Sequence, residues 1–198
     1  MSSGTRKGDG LQPQVERELI RKCRAGGARF YEPLVRAYEP AGLRIAVAMM
    51  GNVEDARDAL QDAFVKAYDS LHRFDLRRPF GPWFFQILRN QCRDMLRSRQ
   101  ARFKVEALDE RLELRPADAE KGPERLRQRA AARELLWQAL EHIGAEHREI
   151  LVLKELQGLR YAEIAQVLDI PEGTVASRLF HARKALKDAL MSMGAEYP

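Results

Sequence analysis

The sequence predicts an all-α protein made of two small helical domains joined by a flexible linker. Three observations predict it. Apolar residues recur at three- and four-residue spacings through most of the 198 residues, while strand-like alternation is scarce. Glycines punctuate those patterns at Gly26-Gly27, Gly51, Gly144 and Gly158. Between residues 101 and 124 the periodicity fades, charge rises, and Pro116, Gly122 and Pro123 interrupt the chain, as an interdomain linker does.

Residues 1–12 are glycine, serine and charge, and are expected to be a disordered tail. The first domain, 13–100, opens with a helix from about Gln14 to Arg24. A second covers roughly Ala28 to Met50, where Pro40 is expected to kink or divide it. Gly51 then suits the left-handed position after a helix, and Asn52 caps the next one. That next helix, Val53 to Ser70, has a tight apolar arc of Ala56, Leu60, Ala63, Phe64, Ala67 and Leu71. Its other side is acidic: Asp55, Asp58, Asp62 and Asp69. Favourable acids at a helix start account for Glu54 and Asp55, but not for Asp58, Gln61 and Asp62 two turns in.

The segment RRPFGP breaks the pattern, and a helix from about Trp83 to Arg99 follows. Phe84, Ile87, Leu88, Cys92, Met95 and Leu96 take its core side. Gln86, Arg89, Asn90, Arg93 and Arg97 line another, with Trp83 at the edge. From Leu71 to Lys104 nine basic residues face only Asp75 and Asp94, whereas Val105 to Arg125 holds seven acids and four bases. Aromatic rings beside arginines and carboxamides suit single-stranded nucleic acid: π faces stack bases, cations meet phosphates, and amides read base edges. The plainer expectation, that Phe80, Trp83 and Phe84 close the core under a loop, stands beside it, with Phe84 in the core and Phe80 and Trp83 shared.

The second domain, 125–198, is expected to hold four helices. One carries Leu126, Ala130, Leu135, Leu136, Ala139 and Leu140; the next, Glu146 to Leu156, places Ile150, Leu151, Leu153 and Leu156 inward. The last two form a helix-turn-helix. Ile164, Ala165 and Leu168 mark its first helix, Asp169-Ile170-Pro171 the turn, and Val175, Leu179, Ala182 and Leu186 the buried stripe of the second. Gly173, Thr174, Ser177, Phe180, His181 and Lys184 fall opposite that stripe, a face that suits a DNA major groove.

The net charge of +5 favours a polyanionic partner, mildly. Cys23 and Cys92 lie within helical patterns and are expected to be buried free thiols, with no metal-ligand spacing and no cofactor motif. The apolar run around Ile45 to Met50 is too short to span a bilayer, and no apolar signal core is present. A cytoplasmic protein is expected.

VEDARDALQDAFVKAY, RPFGPWFFQILRNQCRDMLR and GLRYAEIAQVLDIPEGTVASRLFHARKAL, in that order, resemble bacterial extracytoplasmic-function sigma factors of the sigma-70 family. The resemblance covers roughly residues 28–99 and 126–190. It implies a domain 2 and a domain 4, with no room for a domain 3. It implies that Asp58, Gln61 and Asp62, with Asp55 beside them, dock on the clamp helices of the largest subunit of core RNA polymerase. It assigns recognition and melting of the −10 promoter element to Arg77, Arg78, Phe80, Trp83, Gln86, Arg89, Asn90, Arg93 and Arg97. There a flipped base is held by the loop at about Asp75–Pro82, and Asn90 reads a base. It assigns the −35 element, as duplex, to Thr174, Ser177, Arg178, Phe180 and His181, with Arg183 and Lys184 on phosphates. An anti-sigma factor is a further implied partner. The sequence departs from the family at Asp169, where the turn usually has glycine, and at His181, where arginine is common. A stand-alone helix-turn-helix regulator is the alternative, but it leaves the acidic stripe unused. An enzyme has still less support, since no nucleophile–base pair or phosphate loop is present.

Overall fold

In the computed structural model, which describes residues 11–103 and 134–194, every regular element is helical. Pro13 starts α1 (Pro13–Arg24), with Glu16 in its first turn and Arg21, Lys22 and Arg24 in its last, charges that favour the helix dipole. A 3-10 turn, Ala28–Phe30, leads into α2 (Glu32–Met50). Gly51 ends α2 at φ 81° and donates its N–H to the Val47 carbonyl. Asn52 then caps α3 (Val53–Ser70) by accepting the Asp55 N–H at 2.7 Å. A 3-10 turn at Leu71–Arg73 and a loop carry the chain to α4 (Phe80–Phe103).

The arc expected on α3 is its core: Ala56, Ala63 and Ala67 are fully buried, with Leu60, Phe64 and Leu71 nearly so. These small residues let α3 lie against both α2 and α4. Phe64 stacks on Phe84 with ring centroids 4.4 Å apart, and Tyr38 and Phe80 close over them. Aromatic pairs of this kind add about 0.5–1.5 kcal/mol beyond their buried area.

In the second domain, α5 (described over 134–142) and α6 (Ala145–Leu151) precede a π-helical turn, Val152–Leu156. Then come α7 (Tyr161–Leu168) and α8 (Glu172–Ser192), the helix-turn-helix. Val175, Leu179 and Ala182 are fully buried, as the stripe requires. The two domains also pack on one another. α4 lies against α7 and α2 against α6, so the buried apolar residues form one continuous cluster.

Several expectations change. Pro40 does not divide α2, which runs through it; Pro40 and Arg36 are both exposed, so water can satisfy the carbonyl that loses its donor. α4 begins at Phe80 rather than near Trp83, because Pro82 falls in the first turn, where its missing N–H has no helical partner to lose. Leu156 is 44% exposed instead of inward, since the wide π turn shifts the phase of the helix behind Leu153. Phe80 is fully buried rather than shared. α4 continues three residues into the expected linker; the rest of the linker, most of the tail, and Leu126 and Ala130 lie outside the described residues. Cys23 and Cys92 are free and buried.

Asp169 takes the left-handed conformation, φ 55° and ψ 52°, at the turn of the helix-turn-helix. Its short polar side chain tolerates a backbone that is expensive for branched residues. Asp169→Ile should therefore lower unfolding stability by about 1–2 kcal/mol while Asp169→Gly changes it little, as measured by chemical denaturation.

Candidate nucleic-acid and protein-docking surfaces

The loop before α4 is built by its own residues and pinned by α1. Asp75 accepts the Arg77 backbone N–H at 3.0 Å and takes the Arg77 guanidinium on both carboxylate oxygens. The Arg77 side chain holds the Asp75 carboxyl down at about 2. Arg24 donates from Nε to the Leu71 carbonyl at 2.9 Å and from its guanidinium to the Phe74 carbonyl. Phe74 is buried beside Trp83, ring centroids 4.7 Å apart. Where α4 starts, the buried Glu16 accepts the Phe80 backbone N–H and the Tyr38 hydroxyl. Burial raises the Glu16 carboxyl above its ordinary value, against the pull of those bonds.

Along α4, Trp83, Gln86 and Arg93 are half-buried, and Asn90 and Arg97 are exposed. Arg97 lies 3.7 Å from Asp94. Asn90 rims a depression of about 330 Å³ between α3 and α4, together with Lys66, Asp69 and Ile87. Arg89 departs from its neighbours. It is only 6% exposed, under the second domain, where its Nε donates to Glu149 at 2.5 Å.

On α3, Asp58, Gln61 and Asp62 are exposed side by side. Gln91 donates to the Asp62 carboxylate at 2.8 Å and accepts from the Lys66 ammonium, fixing this face to α4. Asp55 differs: it is half-buried and occupied by Asn52 and Arg99, the latter donating at 2.8 Å. Gln61 also borders an apolar groove of about 680 Å³ between α2 and α3, lined by Tyr31, Val35, Leu43, Val65 and Tyr68.

On α8, Ser177, Phe180, His181, Arg183 and Lys184 are exposed and Thr174 half-buried. Ser177 donates its hydroxyl to the Thr174 carbonyl at 3.0 Å. The Phe180 ring, 65% exposed, meets His181 edge-on at 5.4 Å. Arg183 is paired with Glu155 at 2.7 Å, and the half-buried Arg178 stands 3.8 Å from Glu146.

The expected residues thus form three groups: an acidic face on α3, a stripe on α4 with its loop, and the outward face of α8. Glu16, Arg24, Gln91 and Glu149 went unnoticed in the sequence, because a lone polar residue in a helical pattern gives no sign of what lies across from it. Among the described residues no three His, Cys, Asp or Glu side chains stand close enough to hold a metal ion, and no helix is long and apolar enough to cross a membrane.

Two family models match the chain. The family described as Sigma-70 region 2 matches residues 34–102, and Sigma-70, region 4 matches residues 133–186. The chain is 30% identical over 192 residues to the RNA polymerase sigma-H factor of Pseudomonas aeruginosa, covering 92% of this chain and 97% of that one. It is 32% identical over 186 residues to the ECF RNA polymerase sigma-E factor of Escherichia coli K12, covering 90% and 96%. Among solved structures, CnrH in complex with the cytosolic domain of CnrY is similar with TM-score 0.64 at 27% identity, covering 90% of this chain and 98% of that one. The sigma factor RpoE of Bartonella quintana shares the fold, with TM-score 0.67 at 23% identity, covering 81% and 96%. The chain belongs to the sigma-70 family of RNA polymerase sigma factors, in its extracytoplasmic-function group. Sigma factors are the subunits that give the polymerase its choice of promoter.

The position of Glu16 has a measurable consequence. A carboxyl raised by burial binds its proton more tightly in the folded chain than in the unfolded one, so the folded state gains as pH falls. Between neutrality and the ordinary value of 4.5, the wild type should gain stability relative to Glu16→Gln. Denaturant titrations of both proteins across that range check the slope.

Proposed function

We infer that the chain docks on core RNA polymerase through Asp58, Gln61 and Asp62 and reads a promoter at two places. In this reading residues 13–100 act as the polymerase-binding and −10 domain, 101–124 as the linker, and 125–198 as the −35 domain. The observation that carries the reading is the separation of surfaces. An exposed acidic face on α3 and a cationic, aromatic stripe on α4 sit on one domain, and a hydroxyl- and cation-bearing face sits on α8. A stand-alone regulator needs only the last.

Each surface suits its proposed partner. Exposed carboxylates beside an apolar groove match a basic protein helix pair. Trp83, Gln86, Asn90, Arg93 and Arg97, next to a loop already ordered by Asp75 and Arg24, suit unpaired bases. Binding bases that open thermally holds the DNA melted without ATP or a catalytic residue, so no enzymatic step and no cofactor is assigned. Ser177, Phe180 and His181 face a major groove, with Lys184 and Arg183 toward phosphates. Asp55 and Phe80 support their surfaces from within and are not placed in contact with a partner. The role places the protein in the cytoplasm, with its polymerase. An anti-sigma factor is a further proposed partner; in support, the relative CnrH was solved with a second protein, the cytosolic domain of CnrY.

Run-off transcription tests the reading: core polymerase with this chain should start at specific promoters, and equal transcription without the chain would refute it. Reversing Asp58 and Asp62 to Arg should abolish polymerase binding in a pull-down while leaving the helical circular dichroism intact. Asn90→Ala and Trp83→Ala should reduce open complexes, read by permanganate footprinting, more than duplex binding. Lys184→Ala should lower the salt dependence of DNA binding by about one unit of slope, and Arg183→Ala by less, because Glu155 already holds part of its charge.

A further inference from the structure

An arginine of the α4 stripe is bound, between the two domains, to a carboxylate that belongs to neither nucleic-acid face. Glu149, on α6, takes the Arg89 Nε at 2.5 Å with the two side chains 8% and 7% exposed. Arg93, a turn further along α4, and Arg178, on α8, add their attraction to the same group. Arg89 and Arg93 come from the α4 stripe and Arg178 from α8, so the charge of Glu149 is felt on both faces, although only Arg89 bonds to it.

The surroundings make this a closed contact. Cys92, on the same helix as Arg89, is fully buried and feels the Glu149 charge. Gln157, beyond the π turn, donates to the Ala41 carbonyl of α2 at 3.5 Å. Burial raises the Glu149 carboxyl above its ordinary value, against the opposing pull of the arginines. A carboxylate offering two oxygens to guanidinium groups presents the same chemistry as a phosphate oxygen pair. A buried ion pair adds little stability over an apolar contact of the same shape, whereas losing one partner strands the other. The pair is therefore suited to specify one docked arrangement and to make its opening depend on an alternative anion.

We propose that Glu149 is an internal stand-in for a DNA phosphate, holding the polymerase-free chain closed with Arg89 sequestered between the two domains. The idea rests on the sigma-factor reading given above. In the closed chain the α4 stripe lacks one cation, and its apparent affinity for DNA is reduced by the fraction of molecules that are open. Opening moves Arg89 from carboxylate to phosphate, so its charge is never left buried and unpaired.

The test uses the full chain and Glu149→Gln, which removes the charge and keeps the shape. Three readings are expected without polymerase. A fluorescent single-stranded DNA 20-mer binds about tenfold more tightly, the radius of gyration from small-angle scattering rises, and Cys92 in a Cys23→Ser background reacts faster with a thiol reagent. The wild-type Cys92 thiol, pushed up to about 12, should be nearly inert. The swap of Arg89→Glu with Glu149→Arg should restore thiol protection and bring DNA affinity back to the wild-type value or below it, since the α4 stripe then lacks the Arg89 cation. Glu149→Gln that folds and leaves all three readings at their wild-type values overturns the proposal. Should that variant fail to fold, Glu149→Asp shortens the reach by one methylene, and unchanged readings there overturn it equally. Run-off transcription with core polymerase separates the two ideas. Promoter-specific transcripts with an unchanged Glu149→Gln sink the closed state alone, and no specific transcripts from the wild type sink the sigma reading itself.

Discussion

A helix has a limited circumference, and α4 is asked to serve three neighbours with it. Phe84, Phe85, Leu88, Arg89, Gln91 and Cys92 are all buried, and at ~100° per residue they cover close to half of the helix. Phe84 and Leu88 close the core against α2 and α3, while the Arg89 edge lies beneath the second domain. Among the described residues, an outward strip of Gln86, Asn90, Arg93, Asp94 and Arg97 remains, with the half-buried Trp83 at its edge. The first domain is therefore organised around how this one helix is divided, and in the proposed closed state the second domain competes with DNA for its edge.

The arginines on these faces are already engaged by carboxylates. Arg77 is held by Asp75, Arg97 by Asp94, Arg178 by Glu146 and Arg183 by Glu155. Apart from the half-buried Arg178, these cations sit in exposed pairs that water screens, so each carboxylate holds its partner weakly. Arg89 and Glu149 are different, because both are buried while the domains are docked, and removing one alone strands the other's charge. Polymerase-free protein thus has a graded set of internal anions: weak ones that keep exposed cations occupied, and one that is tied to the docking of the domains.

Most of the helices were legible in the sequence because each signal was local. Gly51 and Asn52 marked a boundary through backbone conformation and capping, and the stripe Val175, Leu179 and Ala182 showed itself through period alone. The surfaces were legible for the same reason: Asp58, Gln61 and Asp62 share a face by their spacing, as do Ser177, Phe180 and His181. What could not be read was anything set by a partner far along the chain. Arg89 has the spacing of a nucleic-acid residue, and only Glu149, sixty positions away, shows it buried. Phe80 reads as shared between core and surface in a broken loop until Glu16 and Tyr38, from α1 and α2, hold it at the start of α4. The π turn that exposes Leu156 likewise depends on how the end of α6 packs, not on its own pattern.

The part played by α1 shows why such distant support matters to function. The family match begins at residue 34, so α1 lies outside it, yet Arg24 and Glu16 hold the loop and the first turn of α4. Ordering a loop residue on binding costs about 1–2 kcal/mol of backbone entropy, and a loop of six residues left free would consume much of what a few stacked bases return. With Leu71 and Phe74 tied to Arg24, Asp75 closed on Arg77, and Phe80 bound to Glu16, that cost has been met in folding. In the proposed reading, the capture of an unpaired base by this loop then needs only contacts, which is what a protein without an energy source must rely on to keep DNA open.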